Sequence, residues 1–280
     1  IAGNDSGYNA CVVRIAPNAS SANIYRAGMR SALGYTGDYE HFWGVCLDDA
    51  PSGSQAIYAV GTVQTSFGGK YRATVAKLDS AGDYQWKKAF DYDVAGSRGS
   101  DVLCWDFGGA IGEKIVVGGG QGGNSYVGFA NFGLAMFNPS DGSFHTGFSA
   151  DGKHSFTIDE GENYSAERLA IQSDGKILIG GCVDYTPFGC ARFNPDGSLD
   201  TTFAGDGAFL FEDPSWGDPA DFCLDNSENI VAAFRTYNDS YTVSYFSVFG
   251  FLGQDRTMAY LRTEATGNTG DIARRTEGDI

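Results

Sequence analysis

Long amphipathic helices are missing from this sequence: no window of its 280 residues sets apolar side chains at helical spacing. Long apolar runs are missing as well. None approaches the roughly 20 residues that cross a bilayer as a helix, and no signal-peptide pattern opens the chain, so no membrane insertion is expected. Basic charge is scarce, with 19 Lys and Arg against 35 Asp and Glu and a net charge of −16. Such a surface repels phosphate, which argues against nucleic acid as a partner. Only three histidines occur, His41, His145 and His154, and none stands in HExxH or beside a nucleophile motif. GxSxG, a P-loop and a GxGxxG in a βαβ setting are absent, as are the CxxC and CxxH spacings of zinc sites. These absences point away from catalysis. The start on Ile1 rather than Met reads as a processed product or a piece of something longer.

Glycine, by contrast, is abundant at 40 residues, against 7 prolines. Many tight turns between short strands use glycine this way. The stretch "IQSDGKILIGG" (171–181) reads as one β-hairpin turning at Asp174-Gly175. Related stretches recur, and their anchors Ile57, Ile115, Ile177 and Ile230 are spaced by 58, 62 and 53 residues. A second anchor opens "VVRIAPN" at Val12, "VAKLDSAGD" at Val75, "LAMFNPSDG" at Leu134, "CARFNPDGS" at Cys190 and "FSVFGFLGQ" at Phe246, spaced by 63, 59, 56 and 56. Two anchors keeping step mark an internal repeat. The clearest copy predicts four strands, at 166–172, 176–183, 188–194 and 207–211. Short loops between them make the pairing antiparallel. A four-stranded sheet written every ~58 residues predicts an all-β fold, a β-propeller.

The residues "LAIQSDGKILIGG" and "FGCARFNPDGSLDTTFAGDG", within 169–207, resemble the delta-60 repeat, a propeller-type repeat of bacterial surface and secreted proteins. "FGLAMFNPSDGSFHTGFSADG" (132–152) is a second good copy, and "VAKLDSAGDYQWKKAF" (75–90) leans toward propeller repeats of bacterial and phage structural proteins. The resemblance implies a propeller over 1–264, with blades near 8–28, 41–92, 99–158, 163–212 and 216–263, and a polar tail or linker at 265–280. The first blade is only a half, so either five blades close or the chain is part of a larger propeller. The family pattern is made of turn and core positions and implies no catalytic residues.

Candidate chemistry is set against that repeat. Five-bladed propellers include glycosidases with paired carboxylates. Asp48, Asp106 and Asp225 share one repeat position, however, which suits a turn better than a unique acid. "GGGQGG" (118–123) lacks a following helix and reads as a loop; "SADGKHSF" (149–156) only nearly matches an Asp-box. "DNSENI" (225–230) spaces oxygens like a calcium loop but lacks its Gly and distal Glu. No cofactor is expected beyond weak Ca²⁺ at acidic turns.

Cys46, Cys104 and Cys223 also share a repeat position, matched by Ala170, and read as buried thiols too far apart to bond one another. Cys190 reads as core, and a Cys182–Cys190 bond on neighbouring strands stays open. Mostly reduced thiols suit assembly in a reducing compartment. Trp43 and Trp105 lie in first strands and read as core. The aromatic stretch at 235–251 offers Tyr237, Tyr241 and Tyr245 as a candidate interaction surface for a neighbouring subunit or a sugar, beside the ordinary half-buried strand. The expected function is a non-enzymatic structural or interaction module of a surface assembly, on a virion or at the extracellular cell surface. Its partners would be other subunits and a host surface glycan. The alternative is a bacterial surface or secreted propeller that binds or cleaves carbohydrate.

Overall fold

A computed structural model describes residues 2–4, 10–15, 21–26, 33–36, 39–51, 54–93, 96–121, 131–158, 164–183, 186–211, 217–237, 244–252, 257–265 and 272–275. Every regular element among them is a strand, and all the sheet pairings are antiparallel. The chain divides into two units, Ile1–Phe156 and Thr157–Ile280.

In the first unit, β1 (Ala2–Asn4), β2 (Ala10–Ile15) and β3 (Ala22–Arg26) form a three-stranded sheet. The next sheet runs in chain order through β4 (Glu40–Leu47), β5 (Ile57–Gln64), β6 (Tyr71–Leu78) and β7 (Tyr84–Phe90). The third does the same through β8 (Arg98–Asp106), β9 (Glu113–Gln121), β10 (Asn131–Phe137) and β11 (Lys153–Phe156). In the second unit, β12 (Tyr164–Ile171), β13 (Ile177–Val183), β14 (Thr186–Phe193) and β15 (Ala208–Phe211) make a further four-stranded sheet. These bounds fall within about two residues of the four strands drawn for the clearest copy. The last sheet has β16 (Gly217–Leu224), β17 (Ile230–Tyr237), β18 (Ser244–Leu252), β19 (Thr257–Ala265) and β20 (Ile272–Arg275). The half-blade at the start thus gains β1, and the polar stretch at 265–280 contains β20, paired to β19 from Ala265↔Ile272 to Arg262↔Arg275.

In the second and third sheets the second strand is apolar on both faces. β5 is buried along its whole length, and β9 at all but its first residue. Between the second and third sheets lies one core, in which Tyr58, Val60, Val75 and Phe90 meet Val102, Ile115, Val117 and Phe137. In the second unit, Phe188, Phe203, Phe211 and Phe222 form a comparable cluster.

Asp residues make the turns. The Asp174-Gly175 turn has Gly175 at φ 84°, and Asp174 Oδ1 accepts the Lys176 N–H at 3.1 Å. Asp141 and Asp196 each accept both the amide and the hydroxyl of the serine two residues on. Those bonds hold both carboxyls below the usual range. Each is the local turn chemistry that Asp performs without tertiary help.

A feature invisible in the pattern is a β-bulge in the first strand of four sheets. The register slips at Trp43 in β4, Ser100 in β8, Glu167 in β12 and Ala220 in β16. The second strand answers with glycine. A Cβ on Gly61 would sit 1.8 Å from the His41 carbonyl oxygen, and one on Gly119 1.8 Å from that of Arg98. Each carbonyl belongs to the residue two before the bulge. The Gly-rich ends of these strands are therefore clearance for the bulged neighbour. Gly180 serves a different neighbour: its Cβ would meet the Phe188 and Phe222 rings at 2.9–3.0 Å.

Within β14, Arg192 is buried and donates from Nε to Asp200 Oδ2 at 2.7 Å, from Nη1 to Gln172 and from Nη2 to Thr202. Lys176 adds a second cation 3.2 Å from the same Asp200 oxygen. Burial alone would raise the Asp200 carboxyl; the Thr202 and Lys176 hydrogen bonds and the Arg192 charge overcome it and hold it at about 2. The equivalent residues of the preceding copy are Met136 and His145, and the backbone bond survives the exchange: His145 N–H donates to Met136 as Asp200 N–H does to Arg192.

Two outcomes follow from this packing. Asp200→Ala strands a buried guanidinium and is expected to cost about 3–5 kcal/mol in urea unfolding. Because Asp200 is depressed on folding, its stabilisation is complete above the unfolded carboxyl value of about 4 and is lost as pH falls toward 2. The variant should therefore show a shallower acid-unfolding profile by circular dichroism. Gly61→Ala, which drives a Cβ into a backbone oxygen, is expected to lower stability by about 3 kcal/mol or more on the same assay.

Candidate functional site

The tyrosine surface is only partly within view. Tyr237 closes β17, opposite Ser244, and Tyr245 lies in β18, opposite Thr236. They occupy successive rungs of one ladder. Tyr241 lies outside the described residues.

An aromatic group appears elsewhere, on β4 and the residue just before it. Tyr39, His41 and Trp43 alternate along the chain, separated by Glu40 and Phe42, which are both buried. A period of two puts the three on one side of the strand. The bulge at Trp43 adds a residue there and re-aims the indole. The outcome is a stacked column. The Tyr39 and His41 rings lie 6.2 Å apart and 11° from parallel, and His41 and Trp43 are 4.0 Å apart and tilted by 32°. Tyr71 meets Tyr39 edge-on at 5.7 Å. From the next sheet, the Arg98 guanidinium stands 5.4 Å from the Trp43 ring. That side chain is steadied by Ser100 Oγ, itself the bulge residue of β8, at 3.2 Å. Trp43 Nε1 donates to Thr62 Oγ1 at 3.3 Å.

Trp43 is 45% exposed in spite of these contacts. It was expected in the core because it lies in a first strand; the alternation that buries Glu40, Phe42 and Gly44 sets it on the opposite face. Trp105 is half-buried, in part agreement with the same expectation. The column is a cluster of rigid rings with a cation at one end, the composition of residues that dominate binding surfaces. The bulge could not be read from spacing alone. The usable signal was the glycine opposite it, Gly61, which sits at the place where the repeat also puts Gly119.

The shared aspartates do what turns require. Asp48 Oδ1 accepts the Ala50 and Ala56 amides, Asp106 Oδ1 the Gly108 amide, and Asp225 Oδ1 the Ser227 and Asn229 amides. Both Asp225 oxygens of "DNSENI" are thereby engaged: Oδ2 also takes the Asn229 side chain. Among the described residues, no three His, Cys, Asp or Glu side chains gather as a metal site.

All six cysteines are free thiols. Two expectations about them need correction. Cys223 is exposed rather than buried. Cys46 and Cys104, expected to be far apart, pack against one core between the second and third sheets. Equal positions in successive sheets that pack face to face come close together.

A family model described as a domain of unknown function (DUF5122) beta-propeller covers residues 172–203. That segment holds the hairpin, β13, β14 and the Arg192–Asp200 pair. No curated protein matches the chain.

His41 offers a direct test of the column. Burial lowers its pKa below 6.5, so the imidazole facing Trp43 is neutral at pH 7 and takes up its proton only in more acid solution. Since the unfolded state protonates first, this group's contribution to stability declines as pH falls below about 6.5. Tryptophan emission is expected to titrate below that pH, through charging of the stacked ring, and His41→Ala should abolish the step.

Proposed function

We propose that this chain is a non-enzymatic β-propeller module that works by contact, as a structural or appendage protein of a virion. Its partners in this reading are the other subunits of that assembly and a host surface. The delta-60 repeat and a five-bladed ring belong to the same proposal. They draw support from the propeller family match at 172–203 and from the succession of antiparallel sheets.

One observation carries the functional part. The repeated carboxylates are engaged in their own turns, while the exposed aromatic column departs from the repeat. A column of this kind suits a contact surface. The free thiols fit assembly in a reducing compartment, and the net charge of −16 fits an exposed, soluble surface. The exposed Trp43 ring also favours a second reading of the ligand, in which the host contact is a glycan stacked on that ring.

A glycan array and a glycan-hydrolysis screen on the intact chain separate these readings from catalysis. Retention without turnover is expected, weakened about tenfold or more by Trp43→Ala with little change in unfolding midpoint. Turnover abolished by a single Asp→Asn substitution would overturn the non-enzymatic reading.

A further inference from the structure

The thiol pair at the junction of the second and third sheets has a consequence independent of any ligand. Here β4 and β8 run against each other closely. A Cβ on Gly44, two residues before Cys46, would stand 3.0 Å from the Ser100 carbonyl and 3.1 Å from the Asp101 Cα. Further along, Cys46 and Cys104 pack against the same core of Ala56, Tyr58, Val102 and Ile115. The close strands and the shared core put both thiols on one seam between the sheets. The Cys104 thiol itself donates to Glu113 Oε1 at 2.9 Å. Tyr58, paired with Cys46 on the ladder, is fully buried, and its hydroxyl has no partner.

Access comes from the other side. Cys46 lines a groove of about 300 Å³ between β2 and the β4–β5 pair, together with Val12, Ile15, Leu47 and Ile57. A small oxidant reaches Cys46 there, whereas Cys104 sits against Glu113.

We propose that Cys46 and Cys104 form an oxidation site, joined as a disulfide between the second and third sheets when the protein meets a peroxide. In the first step the Cys46 sulfur attacks one peroxide oxygen. The O–O bond breaks, the departing hydroxide takes the thiol proton as water, and Cys46 becomes a sulfenic acid. In the second, Cys104 gives its proton to the Glu113 carboxylate and attacks the sulfenic sulfur. The S–O bond breaks, and the leaving hydroxide recovers that proton as a second water. One peroxide is reduced and two thiols are oxidised by two electrons in all. The unpartnered Tyr58 hydroxyl supplies a donor for the sulfenic oxygen between the steps. Burial first, then the Asp101, Asp48 and Glu113 charges, raise the Cys46 pKa, against the one opposing hydrogen bond from Cys104. The thiolate is therefore scarce at pH 7, and the reaction is expected to speed up as pH rises.

The test exposes the full folded chain to dilute hydrogen peroxide, then unfolds it, alkylates the remaining thiols and maps the peptides. Alkylatable cysteines should fall from six to four, with the missing pair recovered as one reducible Cys46–Cys104 cross-link. Cys46→Ala and Cys104→Ala should each abolish the link. Alanine occupies the equivalent position at Ala170, so these variants keep a residue that the repeat already accepts. Cys223→Ala should leave the link intact. Alkylated Cys46 and Cys104 in a chain whose exposed Cys223 has been oxidised would overturn the proposal. So would a link that forms equally well in urea, or one that joins other cysteines.

Discussion

A backbone carbonyl standing where a side chain would begin sets the architecture of the first two strands in these sheets. The oxygen of His41 occupies the Cβ space of Gly61, and that of Arg98 the Cβ space of Gly119. Neither partner is free to change alone. The bulge needs glycine opposite, and glycine in a strand, which has no packing value of its own, is tolerated because the bulged strand fills the gap. This reciprocity explains why glycines recur at the ends of strands that are otherwise Ile, Val and Leu. It also explains the close approach of neighbouring sheets. Gly44 and Gly99 flank the same bulges and lie against Val60 and the facing backbone. Any residue with a Cβ at those points would push the sheets apart.

The repeat itself was legible, because turn and core residues return at fixed intervals and each has a local physical reason. Asp174, Asp196 and Asp225 bind amides two residues on, and such bonds need no tertiary context. The copies also show which parts of the pattern are exchangeable. Arg192 and Asp200 become Met136 and His145 while the backbone bond between the two positions persists. A buried ion pair and a neutral pair thus fill the same slot, as expected when geometry is set by the main chain and the side chains need only satisfy each other.

What was not legible depended on relations between strands and sheets rather than on spacing. Trp43 lies in a first strand, but it stands on the face opposite Phe42 and Gly44 and is exposed. The cysteine misreading has a related cause. Alignment tells where Cys46 and Cys104 lie within their own sheets and nothing of the distance between sheets. When two sheets stack, residues at the same position can be the nearest pair of all, because packed sheets are only ~10 Å apart. The tyrosines at 237–245 were singled out by aromatic density, a compositional signal. The β4 column is a geometric one, made of three ring residues at alternate places and a cation reaching over from another sheet.

A repeat fold distributes its stabilising chemistry evenly, so departures from the repeat are where function has room to act. Two such departures stand out in the first unit: the ring column on β4 and the arginine steadied by a bulge serine. Both lie on the first strands β4 and β8 or touch them. The second strands β5 and β9 are buried almost end to end and have little freedom to vary. A first strand with a bulge has one extra residue that no partner claims. Trp43, Ser100, Glu167 and Ala220 occupy that place in four successive sheets and share no chemical character. The same backbone device that forces glycine on one strand therefore frees a position on the other, and the freed position is where this protein differs from its own repeat.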